Sequence, residues 1–378
     1  MYAFYGAFDE KQGVILFMNE YMREKLERNR AFYEMKDVDR PLMGCYIGGW
    51  EDLSRYSTSV HEFINPGIVS ADDITPKAFI EMYDNFLPKI SYQNDDFVRG
   101  LEPVNSIPWS EAALGCPIRF TGKNFWSGQM GMDRLIELMD MDTDIAENNP
   151  WINKYVEFIR FLADRYPDYP IGQSITRGSL DMVCAAIGDQ NAIILAMTDP
   201  ELLDRAIKFC ESILNKICDV QVENFPKYYG GYGMGYYCIW MHKPSVRIQQ
   251  DAIALMNPEI YEKIIHPSCV RLAQHAPGCV FHTHSTTNFI MDKLVQNEYL
   301  DVVQVTRDAG SVPMNDMIKA MKIIQAAGKP VLFKGRITRD EAKQVSCELD
   351  KKGLCLGIVT ENNDTADEIM AMLKSINW

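Results

Sequence analysis

The chain has 378 residues, 47% of them hydrophobic, and a net charge of −14 from 38 Lys plus Arg against 52 Asp plus Glu. That apolar content is enough for a large core, and 24% charged residues is ordinary for a folded chain, which excludes bulk disorder. An acidic chain without a basic stripe is a poor match for a phosphate backbone, so nucleic acid is excluded as a partner.

Ten scattered cysteines without a CxxC pair read as free, mostly buried thiols in a reducing compartment. The N-terminal stretch MYAFYGAFDEKQGVILFMNEYM has no basic region before an apolar run, so no signal peptide is read. No stretch approaches the ~18 uninterrupted apolar residues of a membrane span. The expectation is a cytoplasmic protein that neither spans nor binds a membrane.

In chain order, a helix is expected over Glu20–Met35, within an N-terminal helical extension of residues 1–36, followed by an apolar strand at Pro41–Ile47. Residues 52–100 are polar and irregular and read as a partly helical insertion over the mouth of the fold. Helices follow at Asp133–Met139 and Trp151–Tyr166, with a strand near Pro170–Ile175. The segment Tyr228–Tyr237, YYGGYGMGYY, combines mobile glycines with flat amphipathic rings. It reads either as a lid or cofactor-facing loop or as a tyrosine-rich loop packed on the rim.

The second half alternates regularly. Helical stretches at Glu201–Glu223, Pro258–His275, Phe289–Asn297, Met314–Ala327, Arg339–Lys351 and Thr365–Ile376 enclose apolar runs at Cys279–His282, Val302–Val305, Val331–Phe333 and Leu354–Val359. Near-continuous apolar runs between helices signal strands buried on both faces, hence a parallel sheet. Such units suit a doubly wound sheet or a (β/α)8 barrel. No GxGxxG follows a first strand, which disfavours the dinucleotide-binding version. The expected fold is α/β, a (β/α)8 TIM barrel in one domain, with its chemistry at the C-terminal strand ends.

The sharpest local feature is Phe281-His282-Thr283-His284-Ser285, two histidines leaving a strand end. Imidazoles so placed can bind zinc or move protons near neutral pH. Asp251 closes the run Val246–Gln250 before a helix and could act as acid, base or orienting group, or simply cap that helix. Lys334 and Arg336 follow Val331–Phe333 and could meet an anionic substrate group. Arg307 and Asp308 could pair with each other, Glu223 reads as a solvated helix end, and Cys355 as a buried thiol or a metal thiolate.

Several segments resemble the uroporphyrinogen decarboxylase superfamily, in the same order and over most of the chain. They are Asp39-Arg40-Pro41-Leu42-Met43, Pro108-Trp109-Ser110-Glu111-Ala112-Ala113-Leu114-Gly115-Cys116, Arg177-Gly178-Ser179-Leu180-Asp181 with Gly188, Asp251 through Pro267, His282-x-His284, and Gly335. The family includes the decarboxylase and methyltransferases that move methyl groups between corrinoids and thiols. The resemblance implies a barrel, a homodimer, and Asp251 and His282 as site residues. The decarboxylase's arginine-rich loop after the first strand is absent, since Tyr46–Asp52 holds no arginine before Arg55. In the methyltransferase branch zinc is held by a histidine, a cysteine two positions on and a later cysteine. Here the second ligand would be His284, and the late cysteine segment is missing, with Cys355 nearby but within a strand, so the resemblance implies a His282, His284 and Cys355 set.

The expected function is therefore a methyltransferase of the corrinoid-linked type, with Zn²⁺ and a corrinoid-binding partner protein. Catalytic residues are Asp251, His282 and His284, and substrate-binding residues are Trp50, Tyr232, Tyr236 and Arg336. The alternatives are a porphyrinogen-like decarboxylase, a lyase of porphyrin metabolism needing no cofactor, and a non-catalytic binding barrel.

Overall fold

The computed structural model describes residues 6–8, 15–17, 20–48, 64–141, 145–308 and 312–378. Six strands form one parallel sheet: β1 Leu42–Ile47, β2 Val246–Gln249, β3 Cys279–His284, β4 Val302–Thr306, β5 Val331–Gly335 and β6 Leu354–Thr360. Their spatial order is β1-β6-β5-β4-β3-β2. Every residue of these strands is buried except His284, which is partly exposed. That double burial is why the runs read as continuously apolar rather than alternating.

The two sheet edges are joined by extended chain. Asp96 N donates to Met43 O on β1 (2.9 Å), and Leu101 bridges Ile171 in parallel, with Gly172 N donating to Leu101 O (2.8 Å). The Gln173 side chain then bonds the backbone of Arg247 on β2. The arrangement is barrel-like. Residues 96–101 therefore belong to the wall, so the expected insertion ends earlier. The expected strand at Pro170–Ile175 reduces to one bridge, since Pro170 has no N–H to donate.

The outer face of the sheet (Cys45, Phe281, Val305, Phe333 and Ile358 among others) packs under the helices Pro200–Asn224, His266–His275, Met314–Ala326, Arg339–Glu348 and Asn363–Lys374. The inner face is layered. Near the strand beginnings it is apolar, with Leu42, Val280, Val302, Leu332 and Cys355 in one cluster. Towards the strand ends it carries buried polar groups, namely Gln249, His282, Gln304, Thr306 and Lys334.

The tyrosine-rich segment is not a lid. It connects the helix Pro200–Asn224 to β2, and so enters at the strand beginnings. Tyr232–Gly233 pairs with Trp240–Met241, and Met234, Tyr237, Ile239 and Met241 fill the inner apolar layer. Its glycines serve close approach: a Cβ on Gly231 would lie 2.2 Å from the Trp240 ring, and one on neighbouring Gly172 would lie 2.4 Å from Gly235 N.

A second apolar core lies beside the sheet. Phe79, Tyr83, Trp109, Phe120 and Phe125 pack on the helix Pro150–Arg165, with a small antiparallel sheet of Gly67–Val69, Ile118–Phe120 and Phe125–Ser127. The helices Trp109–Leu114 and Ser179–Ile187 carry no readable period because they are buried almost all round. Among the described residues no single helix is long and apolar enough to cross a membrane.

Candidate active site at the strand ends

Side chains two apart on a strand share a face, so His282 and His284 both point inward from the end of β3. β2 pairs with β3 with Gln249 opposite His282. Continuing that register sets Asp251, two residues past Gln249, opposite His284. The three groups converge: His282 Nε2 and His284 Nε2 are 3.0 Å apart, and Asp251 Oδ1 lies 3.8 and 3.7 Å from them.

The far ring nitrogens are held from β4, again by register. His282 pairs with Gln304 and His284 with Thr306. His282 Nδ1 bonds Gln304 Oε1, and Gln304 Nε2 donates to Thr306 Oγ1 (2.8 Å), which orients the amide. His284 Nδ1 donates to Asp308 Oδ1 (2.8 Å), whose other oxygen accepts from Ser285 Oγ (3.1 Å). Both acceptors require the proton on Nδ1, so both Nε2 lone pairs face the common point.

Two lone pairs 3.0 Å apart repel unless a cation lies between them. Burial, then the Arg247 charge, holds His282 well below its ordinary pKa and neutral. The Asp308 hydrogen bond raises that of His284 despite partial burial. A proton on His284 Nε2 donated to His282 satisfies the pair, and so does a metal ion. With metal–nitrogen bonds of about 2.0–2.1 Å, a tetrahedral site has edges of roughly 3.3 Å. The observed 3.0, 3.7 and 3.8 Å bracket that value, and the donor set leaves a fourth position open.

Asp251 is itself positioned. Gln249 Nε2 donates to its Oδ2 (3.0 Å). Buried Asp181 accepts from the backbone N–H of Asp251 (3.0 Å) and Ala252 (2.7 Å). Burial and the nearby Asp251 charge push the Asp181 carboxyl up to about 6. Asp181 and Gln304 thus hold the cluster without a chemical signature in the sequence, and Asp308, noted only as a possible partner of Arg307, holds it as well. Asp308 pairs with His284, not with Arg307, which bonds Glu341 (2.9 Å).

The other sequence candidates lie elsewhere. Cys355 sits near the start of β6 in the inner apolar layer, its thiol pushed well above the usual range by burial, and its sulfur is not among the converging donor atoms. Asp251 takes the third position instead. Tyr232 is half-buried against the second core, away from the inner face of the sheet. Tyr236 reaches the inner face, with Lys334 Nζ 3.8 Å from its ring. Arg336 is exposed and paired with Glu361 (2.5 Å) on the rim of a cleft of ≈ 750 Å³, and Asp308 lines the same cleft. Trp50 lies outside the described residues.

No protein-family model matches the chain, and comparison with curated proteins finds no match. Among solved structures, the chain is similar to a methyltransferase from Methanosarcina mazei, with TM-score 0.59 and 14% identity, covering 93% of this chain and 97% of that one. At that identity the likeness shows a shared fold across nearly the whole of both chains, and nothing about shared chemistry.

Proposed function

We propose that this chain is a closed (β/α)8 barrel methyltransferase of the uroporphyrinogen decarboxylase superfamily, moving a methyl group from a corrinoid on a partner protein to a small thiol. The observation that carries it is the convergence of His282 Nε2, His284 Nε2 and Asp251 Oδ1 at the strand ends. The shared fold with a methyltransferase supports the same reading.

These three residues would hold Zn²⁺. When bound, the ion supplies the charge that keeps a thiol as its nucleophilic thiolate near neutral pH. The chain's own residues do the positioning. Gln304 and Asp308 hold the Nδ1 protons, which leaves Nε2 of each ring as the atom that would bind the metal. Gln249 and Asp181 fix the Asp251 carboxylate. A methylcorrinoid would supply the methyl group and keep both electrons of the cobalt–carbon bond, and the thiol would form the sulfur–carbon bond and lose its proton to solvent.

The test is to mix zinc-loaded protein with methylcobalamin and a panel of small thiols. Cobalamin absorbance then reports loss of the methyl group, and mass spectrometry reports the methylated thiol. Transfer that is lost in His282→Ala supports the reading. Carbon dioxide release from a porphyrinogen, with no methyl transfer to any thiol, overturns it.

The outer partners are expected to matter as well. Asp308→Ala should weaken zinc binding by roughly 10–100-fold, the usual cost of removing a group that orients a ligating histidine. Competition against a chromophoric chelator would measure it.

A further inference from the structure

On the inner face of the sheet, two cations share one aromatic ring. Arg247 on β2 and Lys334 on β5 are both buried. Lys334 Nζ lies 3.8 Å from the centroid of Tyr236, and the Arg247 guanidinium lies 5.3 Å from the same ring. Arg247 Nε donates to Tyr237 Oη (2.8 Å), but its Nη1 is buried and has no hydrogen-bond partner among the described residues.

Gln249 lies two residues on and on the same inner face. Its Nε2 donates to the Asp251 carboxylate, which can only accept, so the amide orientation is set. Its Oε1 is thereby turned the other way, buried and also without a partner among the described residues. The unmet donor and the unmet acceptor are thus carried by side chains on one face whose Cα positions are roughly 7 Å apart along the strand.

Burying the Arg247 charge is costly, and the face of an aromatic ring offsets only part of that cost. An unsatisfied buried polar group adds to that cost. A ligand with a negative end would meet Arg247, in the field of Lys334, and one with a hydrogen-bond donor would meet Gln249.

We propose that Arg247, Lys334 and Gln249 form a recognition subsite for a small carboxylate bearing a hydroxyl or ammonium donor on the adjacent carbon. The carboxylate accepts from Arg247 Nη1, and the donor meets Gln249 Oε1. Gln249 links the subsite to Asp251 at the mouth, whose side chain is 41% exposed. The inference rests on the functional proposal only in setting the substrate's reacting end against His282, His284 and Asp251.

Isothermal titration of the full chain, with and without chelator, tests this with lactate, alanine, propionate and methyl lactate. Lactate or alanine should bind about tenfold or more tighter than propionate, the worth of one buried hydrogen bond, and methyl lactate should not bind in the same range. Whichever of lactate and alanine binds tighter identifies the donor. Arg247→Met should abolish binding of all three acids, Arg247→Lys should restore part of it, and Gln249→Leu should reduce lactate to the level of propionate. Equal affinity for lactate and propionate, equal affinity for the ester, or no binding of any acid would overturn the subsite. So would unchanged affinity in a folded Arg247→Met. If the variants do not fold, the wild-type series decides alone. None of these readouts requires metal or methyl transfer. Binding of lactate without methyl transfer to any thiol therefore counts against the functional proposal and not against the subsite.

Discussion

His282→Ala is expected to abolish tight binding of one zinc ion per chain. The imidazole offers Nε2 from a neutral ring whose orientation is set by Gln304, and burial leaves no room for a compensating group. Loss of a ligand atom should exceed the roughly 10–100-fold effect of removing an outer partner. Metal content after purification without chelator measures it, and so does the visible absorption of a cobalt-substituted protein. Cys355→Ser should leave both unchanged, because that sulfur sits among Leu42, Val280 and Leu332 in the apolar layer. An equal loss in Cys355→Ser would restore the thiolate set implied by the family resemblance. No zinc in the wild-type protein would remove the metal from the proposal.

The largest effect on stability is expected at Arg99. Its guanidinium donates to both oxygens of Asp95, whose side chain is wholly inaccessible to solvent, and also to Cys45 O on β1. Asp95 in turn accepts from the backbone N–H of Cys45 (2.8 Å) and lies 3.7 Å from Lys25 Nζ on the N-terminal helix. Removing one partner of a buried pair leaves an uncompensated charge, so Arg99→Met should cost about 3–5 kcal/mol. Urea unfolding followed by circular dichroism checks this. Arg99→Met combined with Asp95→Asn should recover part of the loss, since the second change removes the stranded charge. A shift no larger than that of an exposed pair such as Arg134–Glu137 would show that the network does not hold β1 in place.

The site and its surroundings were legible to different depths. His282 and His284 stand at the end of an apolar run, and Asp251 at the end of another. A group at a strand end in a parallel α/β fold lies at the mouth, so all three were visible as candidates. Their partners were not. Gln304 and Thr306 sit within or at the end of an apolar run, and Asp308 just beyond it. Their roles follow only from β4 lying beside β3 with His282 opposite Gln304. Asp181 is 70 residues from the backbone it holds at Asp251. The tyrosine-rich segment shows the opposite failure. Its composition suggests mobility, but its position between a helix and a strand beginning places it inside the sheet, where glycines are needed for close approach.

The amino-acid sequence by itself determined the parallel α/β class, the strands β3 to β6 with most of their helices, and the three mouth residues. These depend on local periodicity and on chain position. The tertiary structure alone decided the joining of the sheet edges through residues 96–101 and 170–173, the outer partners of the histidines, Asp251 rather than Cys355 as the third converging donor, and the cation pair at Tyr236. Each of these depends on strand register. A hydrogen-bonded ladder sets register between segments far apart in the chain, and no short-range pattern records it.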